Sequence, residues 1–156
     1  AVISENQRKT WIEAISALPQ QVRLQVASMS AEQLQTPYRP GGWTAYQLVH
    51  HLADSHMNSL IRFKLALTED HPTIKPYLEH LWAPLADTVN APLESSMSIL
   101  DGVHARLTIL LKSMTEEQFA RTYFHPEAQE SVRLDVVLGS YAWHGAHHLA
   151  HMQLIH

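Results

Sequence analysis

From Thr44 to Glu69 the chain runs for roughly 26 residues without a proline or a glycine. Such a run narrows the possible architectures before any function is considered. It predicts one α-helix of about 39 Å at 1.5 Å rise per residue. Its start is marked twice, because Thr44 and Gln47 form a capping box while Trp43 and Leu48 take the two positions of a hydrophobic staple. Three further long helices follow from the same reasoning. Ser4-Glu5-Asn6-Gln7 has the capping-box form and opens a stretch whose apolar face is Trp11, Ile12, Ile15, Leu18, Val22, Leu24 and Val26. Pro19 lies inside that stretch and predicts a kink or a split. Asn90-Ala91-Pro92 offers an Asn cap and an early proline to a third helix, with Leu93, Met97, Leu100, Val103, Leu107, Leu110 and Leu111 as its stripe. The fourth begins near Leu134 and runs to the end.

Ser30 and Thr115 open short capped helices, and Thr36 to Gly42 reads as a loop. Pro72 to Pro84 is a proline-spaced crossing long enough to pack over something useful. Thr122 to Arg133 reads as an ordered loop or a small hairpin. The expected fold is all-α, a four-helix bundle with long crossover connections, formed by residues 1–156 as a single domain. The chain opens at Ala1 without Met and stops at His156 in mid-pattern, so trimmed ends are expected.

Composition removes several functions. A net charge of −4 gives no electrostatic reason for nucleic acid or an anionic membrane as partner. No apolar run reaches the roughly 18 residues that a membrane span needs, and no signal peptide is visible. The absence of cysteine excludes disulfides, thiolate metal sites and cysteine nucleophiles. It fits a cytoplasmic setting. Any metal must then be held by nitrogen and oxygen ligands.

Twelve histidines are the abnormal count, and four of them fall within Trp143-His144-Gly145-Ala146-His147-His148-Leu149-Ala150-His151. His144 and His148 are four residues apart, as are His147 and His151, so each pair shares a helix face with Cβ atoms about 5–6 Å apart. A lone half-buried histidine is usually a packing residue. Two ligands rarely complete a site, and the helix after Thr44 offers His50, His51 and His56 as a third. At 100° per residue its core face is set by Leu48, Leu52, Ser59, Phe63 and Ala66. His51 sits at the edge of that face and His50 points away. On the last helix Leu134, Leu138, Tyr141 and Met152 set the core face, with His148 inside it, His144 at its edge and His147 largely outside. This geometry selects His51, His144 and His148. Three nitrogens with an open position is the catalytic rather than the structural zinc pattern. Gly145 after His144 rules out HExxH, and no P-loop or GxSxG is present.

Pro40-Gly41-Gly42-Trp43-Thr44, His50-His51-Leu52-Ala53-Asp54-Ser55-His56-Met57-Asn58 and Ile61-Arg62-Phe63-Lys64-Leu65-Ala66-Leu67-Thr68-Glu69 together resemble the YfiT/BstA group of the DinB-like superfamily. So do Thr73-Ile74-Lys75-Pro76-Tyr77, Tyr123-Phe124-His125-Pro126 and Tyr141 to His151. The resemblance implies a four-helix bundle, usually a homodimer, with one divalent ion, zinc or nickel, on three histidines. The family's ligand positions fall here on His51, His144 and His148, the set the helical wheel selects. The group has been described as candidate metal-dependent hydrolases, and relatives are S-transferases for bacillithiol-type thiols.

Three functions are therefore expected in order. The first joins a low-molecular-weight thiol, deprotonated at the metal, to a small-molecule electrophile. The second is hydrolysis at the same ion; against it, no glutamate holds an obvious general-base position beside the ligands. The third is a non-catalytic metal-binding dimer. Arg62 could meet a substrate carboxylate, Asn58 lies on its stripe, and Asp54 could orient His51. His104 and His125 are weaker pocket candidates. No catalytic residue is assigned, and no organic cofactor is expected.

Overall fold

The computed structural model describes residues 2–156; Ala1, part of the expected domain, lies outside them. Four long helices form the body: α1 (Glu5–Ala27), α3 (Ala45–Thr68), α6 (Leu93–Ser113) and α8 (Leu134–Gln153). Short helices α2 (Ala31–Leu34), α4 (Glu79–Trp82), α5 (Ala86–Asn90) and α7 (Glu116–Phe119) lie in the connections. Strands β1 (Thr122–His125) and β2 (Glu130–Arg133) pair antiparallel, with Thr122 opposite Arg133 and His125 opposite Glu130. The segment expected as a loop or small hairpin is thus a hairpin. α1 packs against α6 and α8, and α3 packs against the same two. Consecutive long helices α1 and α3 therefore stand diagonally, as do α6 and α8, and the connections between them must cross the bundle end.

Local signals explain most boundaries. Thr44 accepts a hydrogen bond from the Gln47 amide while the Gln47 side chain accepts one from the Thr44 amide, and the boxes at Ser30 and Thr115 close the same way. Ser4 makes only the first of these bonds. Some expectations fail. Of the kink or split expected at Pro19, the split does not occur: α1 runs through it unbroken, with Ile12, Ile15 and Leu18 before it and Val22 after it all buried; Leu24, expected on that face, is exposed. Asn90 does not cap α6, since residues 86–90 form a helical turn of their own and α6 starts behind Pro92. Ala91, ahead of that proline, is extended with ψ 145°, as the ring's clash with the preceding residue demands.

The core has two centres. Phe63, Ile15, Leu107, Leu111, Leu134 and Leu138 form one, and Leu18, Val22, Leu48, Leu52, Leu100 and Met152 the other. Gly145 explains why α8 comes so close to α1: a Cβ there would stand 2.6 Å from Leu18 Cδ2. α3 is buried on more of its circumference than a single stripe allows, including His50, His51, Ser55 and His56. No helix among the described residues is long and apolar enough to cross a membrane.

Candidate metal centre

α3 and α8 pack side by side, so a histidine from one meets the i, i+4 pair of the other. His51 Nε2 lies 3.1 Å from His144 Nε2, and His148 Nε2 lies 3.1 Å from the same atom. The three residues each offer a ligand atom within 4.8 Å of the others. Nitrogens bound tetrahedrally at about 2.0–2.1 Å stand about 3.3 Å apart, so the two pairs through His144 have the spacing that one divalent ion requires, and the third lies within 4.8 Å. The other ring nitrogens are turned outward and occupied. His51 Nδ1 is 3.1 Å from the Tyr77 hydroxyl, His144 Nδ1 3.2 Å from His56 Nε2, and His148 Nδ1 3.2 Å from His151 Nδ1. Donor type, spacing and outer partners all fit a nitrogen-ligated ion.

Burial makes these imidazoles neutral. Desolvation, then His144, pushes His51 down to about 3; desolvation, then His147, pushes His144 down to about 4. His148 falls to about 2, by desolvation first and then by its histidine neighbours. A neutral imidazole is the form that ligates metal. Trp43 packs on His51 at 4.6 Å between ring centres and faces His148 at 6.4 Å, closing the apolar side.

His144 forms part of the wall of an open cleft of about 940 Å³, bounded also by Tyr77, Glu79, Arg62, Tyr123 and Tyr141. The Pro72–Pro84 crossing thus packs over the centre, and it brings a group that sequence reasoning missed. Glu79 Oε2 lies 3.7 Å from His51 Nε2. Glu79 is the sole carboxylate of that crossing, which was the available signal, but the path of the crossing is not legible from local pattern. Tyr77, not Asp54, partners His51. Asp54 instead is desolvated beside Asp87, which raises its carboxyl to about 6. Arg62 forms no ion pair among the described residues; it donates to the Lys75 carbonyl at 3.1 Å and to the Tyr141 hydroxyl at 3.5 Å. Asn58 donates to the Asp54 carbonyl of its own helix. His125 lines the cleft, whereas His104 is buried away from it. His50, expected to point away from the core, is buried between Ser96 and the Ala91 carbonyl. His147 stacks on Trp143 and His151 on Tyr38.

A bundle with diagonal crossings and three converging histidines defines a class, and the DinB superfamily profile matches residues 6–152. The chain belongs to that superfamily. Within it, the chain is 47% identical over 150 residues to YfiT of Bacillus subtilis strain 168, named a candidate metal-dependent hydrolase, covering 96% of this chain and 84% of that protein. A relative from Bacillus cereus strain B4264 with the same description is 50% identical over 150 residues, covering 96% and 86%. The solved structure of Bacillus subtilis YfiT, described as an unusual four-helix bundle, superposes with a TM-score of 0.94 over 97% of this chain and 87% of that one. A mycothiol-dependent maleylpyruvate isomerase shares the fold at 13% identity, with a TM-score of 0.72 over 93% of this chain and 60% of that one.

Proposed function

We propose that this chain is a metal-dependent enzyme in which His51, His144 and His148 hold one zinc or nickel ion, and that it transfers a low-molecular-weight thiol of the bacillithiol type to an electrophilic small molecule. The observation that carries this reading is the convergence of three neutral imidazole nitrogens beside a cleft of about 940 Å³. That volume is at the upper end of the roughly 300–1,000 Å³ that holds one drug-sized ligand, so a thiol and a small electrophile can share it. Imidazole donors suit zinc and nickel alike. A divalent ion held there supplies Lewis acidity that lowers the pKa of whatever takes its open position.

The chain's own residues do the positioning. Tyr77 fixes the ring of His51. Arg62 keeps guanidinium N–H groups available in the cleft for a carboxylate of either substrate. Glu79 stands where it can take the thiol proton. The sulfur then bonds to the electrophilic carbon, and the carbon's bond to halide or epoxide oxygen breaks, with the electron pair leaving on that atom. The resemblance to the family supports a second copy of the chain as partner and a cytoplasmic setting.

Glu79 also favours a second reading, hydrolysis, in which its carboxylate acts as general base toward water; the names of the Bacillus relatives support it. Mass spectrometry of an epoxide or alkyl halide incubated with metal-loaded protein and a panel of thiols separates the two. With the epoxide, a gain of the thiol's mass supports transfer, and a gain of water alone refutes it in favour of hydrolysis; with the alkyl halide the same gains appear less the mass of the hydrogen halide released. Neither product above the metal-free control would leave a non-catalytic metal-binding dimer.

A further inference from the structure

Two buried histidines that the metal reading leaves out stand in line behind His144. His144 Nδ1 is 3.2 Å from His56 Nε2, His56 Nδ1 is 2.6 Å from His104 Nε2, and His104 Nδ1 is 2.6 Å from the backbone oxygen of Ile15. His56 and His104 are 0% and 1% exposed, and no carboxylate hydrogen-bonds to either. Each is a neutral ring with one N–H and one lone pair. A carbonyl oxygen only accepts, so His104 carries its proton on Nδ1. Its Nε2 is then a lone pair, and His56 must donate from Nδ1. The Nε2 of His56 is a lone pair in turn, and His144 must donate from Nδ1. The lone pair of His144 is left on Nε2, the atom that faces His51 and His148.

The anchor has its own cause in the sequence. Pro19 has no N–H, so the carbonyl four residues earlier in α1, that of Ile15, loses its helical partner. That carbonyl is the one which takes the His104 proton. The other two candidate ligands have no comparable anchor. His51 meets a tyrosine hydroxyl and His148 meets another imidazole, and either of those groups can donate or accept.

We propose that His56 and His104 are positioning residues that, anchored on the carbonyl freed by Pro19, lock His144 in its Nδ1–H tautomer and so preset its Nε2 lone pair for a metal ion. A ring free to change tautomer offers that lone pair for only part of the time, and apparent affinity falls by the competent fraction. The proposal rests on the three-histidine reading above.

Two measurements test it. Long-range proton–nitrogen NMR spectra of metal-free wild-type protein report which ring nitrogen of each histidine is protonated. His104, His56 and His144 should all show Nδ1–H, and an Nε2–H form of any of them overturns the lock. The second is zinc affinity, read by competition with a chromophoric chelator. His56→Leu should weaken it about 10–100-fold, while His56→Gln, whose amide oxygen can accept the His144 proton, should stay within about threefold of wild type. His104→Leu should cost about tenfold although its ring is two hydrogen bonds from the ion, on the same competent-fraction argument. Equal losses for the Leu and Gln variants of His56 would mean that the ring only packs, and would refute the proposal. If wild-type protein takes up no zinc, the three-histidine reading fails, and the tautomers of the metal-free protein decide the lock alone.

Discussion

Acidification of the metal-free protein from about pH 7.5 to 5.5 should cost it a large share of its stability, chiefly through its buried histidines. His51 and His144 have folded-state pKa values near 3 and 4, and His148 near 2, all lowered first by burial. In the unfolded chain each returns to about 6.5. For a group depressed on folding, stability is present above the unfolded pKa and is lost as pH falls toward the folded one. Between pH 7.5 and 5.5 the unfolded chain goes from about 0.1 to about 0.9 proton per histidine while the folded chain takes up almost none, which amounts to about 1.4 kcal/mol each. Discounting His148, which is partly screened by solvent, the three together give about 3–4 kcal/mol. His56, His104 and His50 are lowered as well, chiefly by burial, and act in the same direction. Against a total stability of about 5–15 kcal/mol this is a large loss. Urea unfolding of chelator-treated protein at the two pH values measures it, and His144→Gln should reduce the difference by about 1.4 kcal/mol. A difference below about 1 kcal/mol would refute the claim that these rings are neutral in the fold.

Other outcomes follow from the same structure. His51→Ala should remove the metal, so that elemental analysis falls from about one ion per chain to a trace; full retention would displace the centre from these residues. Phe63 is completely buried among Ile15, Leu107 and Leu138, and Phe63→Ala should cost about 3–5 kcal/mol in chemical denaturation. Asp54, raised to about 6 by burial and then by Asp87, favours the fold below pH 4 and ceases to as pH rises through 6. Asp54→Asn should therefore raise Tm at pH 8 relative to wild type and leave it nearly unchanged at pH 4; a gain at pH 4 alone would contradict the assignment.

Where the information was local, it was legible in the sequence. The capping boxes at Ser30, Thr44 and Thr115 form from residues three apart, and they fixed helix starts that the structure reproduces. The failures share a cause. Pro19 predicts a kink or a split from backbone chemistry alone, and the split is prevented because the buried residues on both sides of it hold α1 in one piece. Asn90 is a good cap in isolation, yet Pro92 forces the chain straight just after it.

By itself the sequence determined four long helices and the absence of cysteine ligands, and it singled out His51, His144 and His148 as candidates, because helical periodicity decides which side chains share a face. It could not determine that α1 and α3 stand diagonally, which puts both α6 and α8 beside α3. Only that packing carries Glu79 over the centre and sets His56 and His104 behind His144. The residues concerned are separated by 28 to 88 positions, and no local pattern encodes a contact at that range. Pro19 shows both levels at once: its missing N–H is read directly from the sequence, and the side chain that takes up the freed carbonyl is known only from the fold.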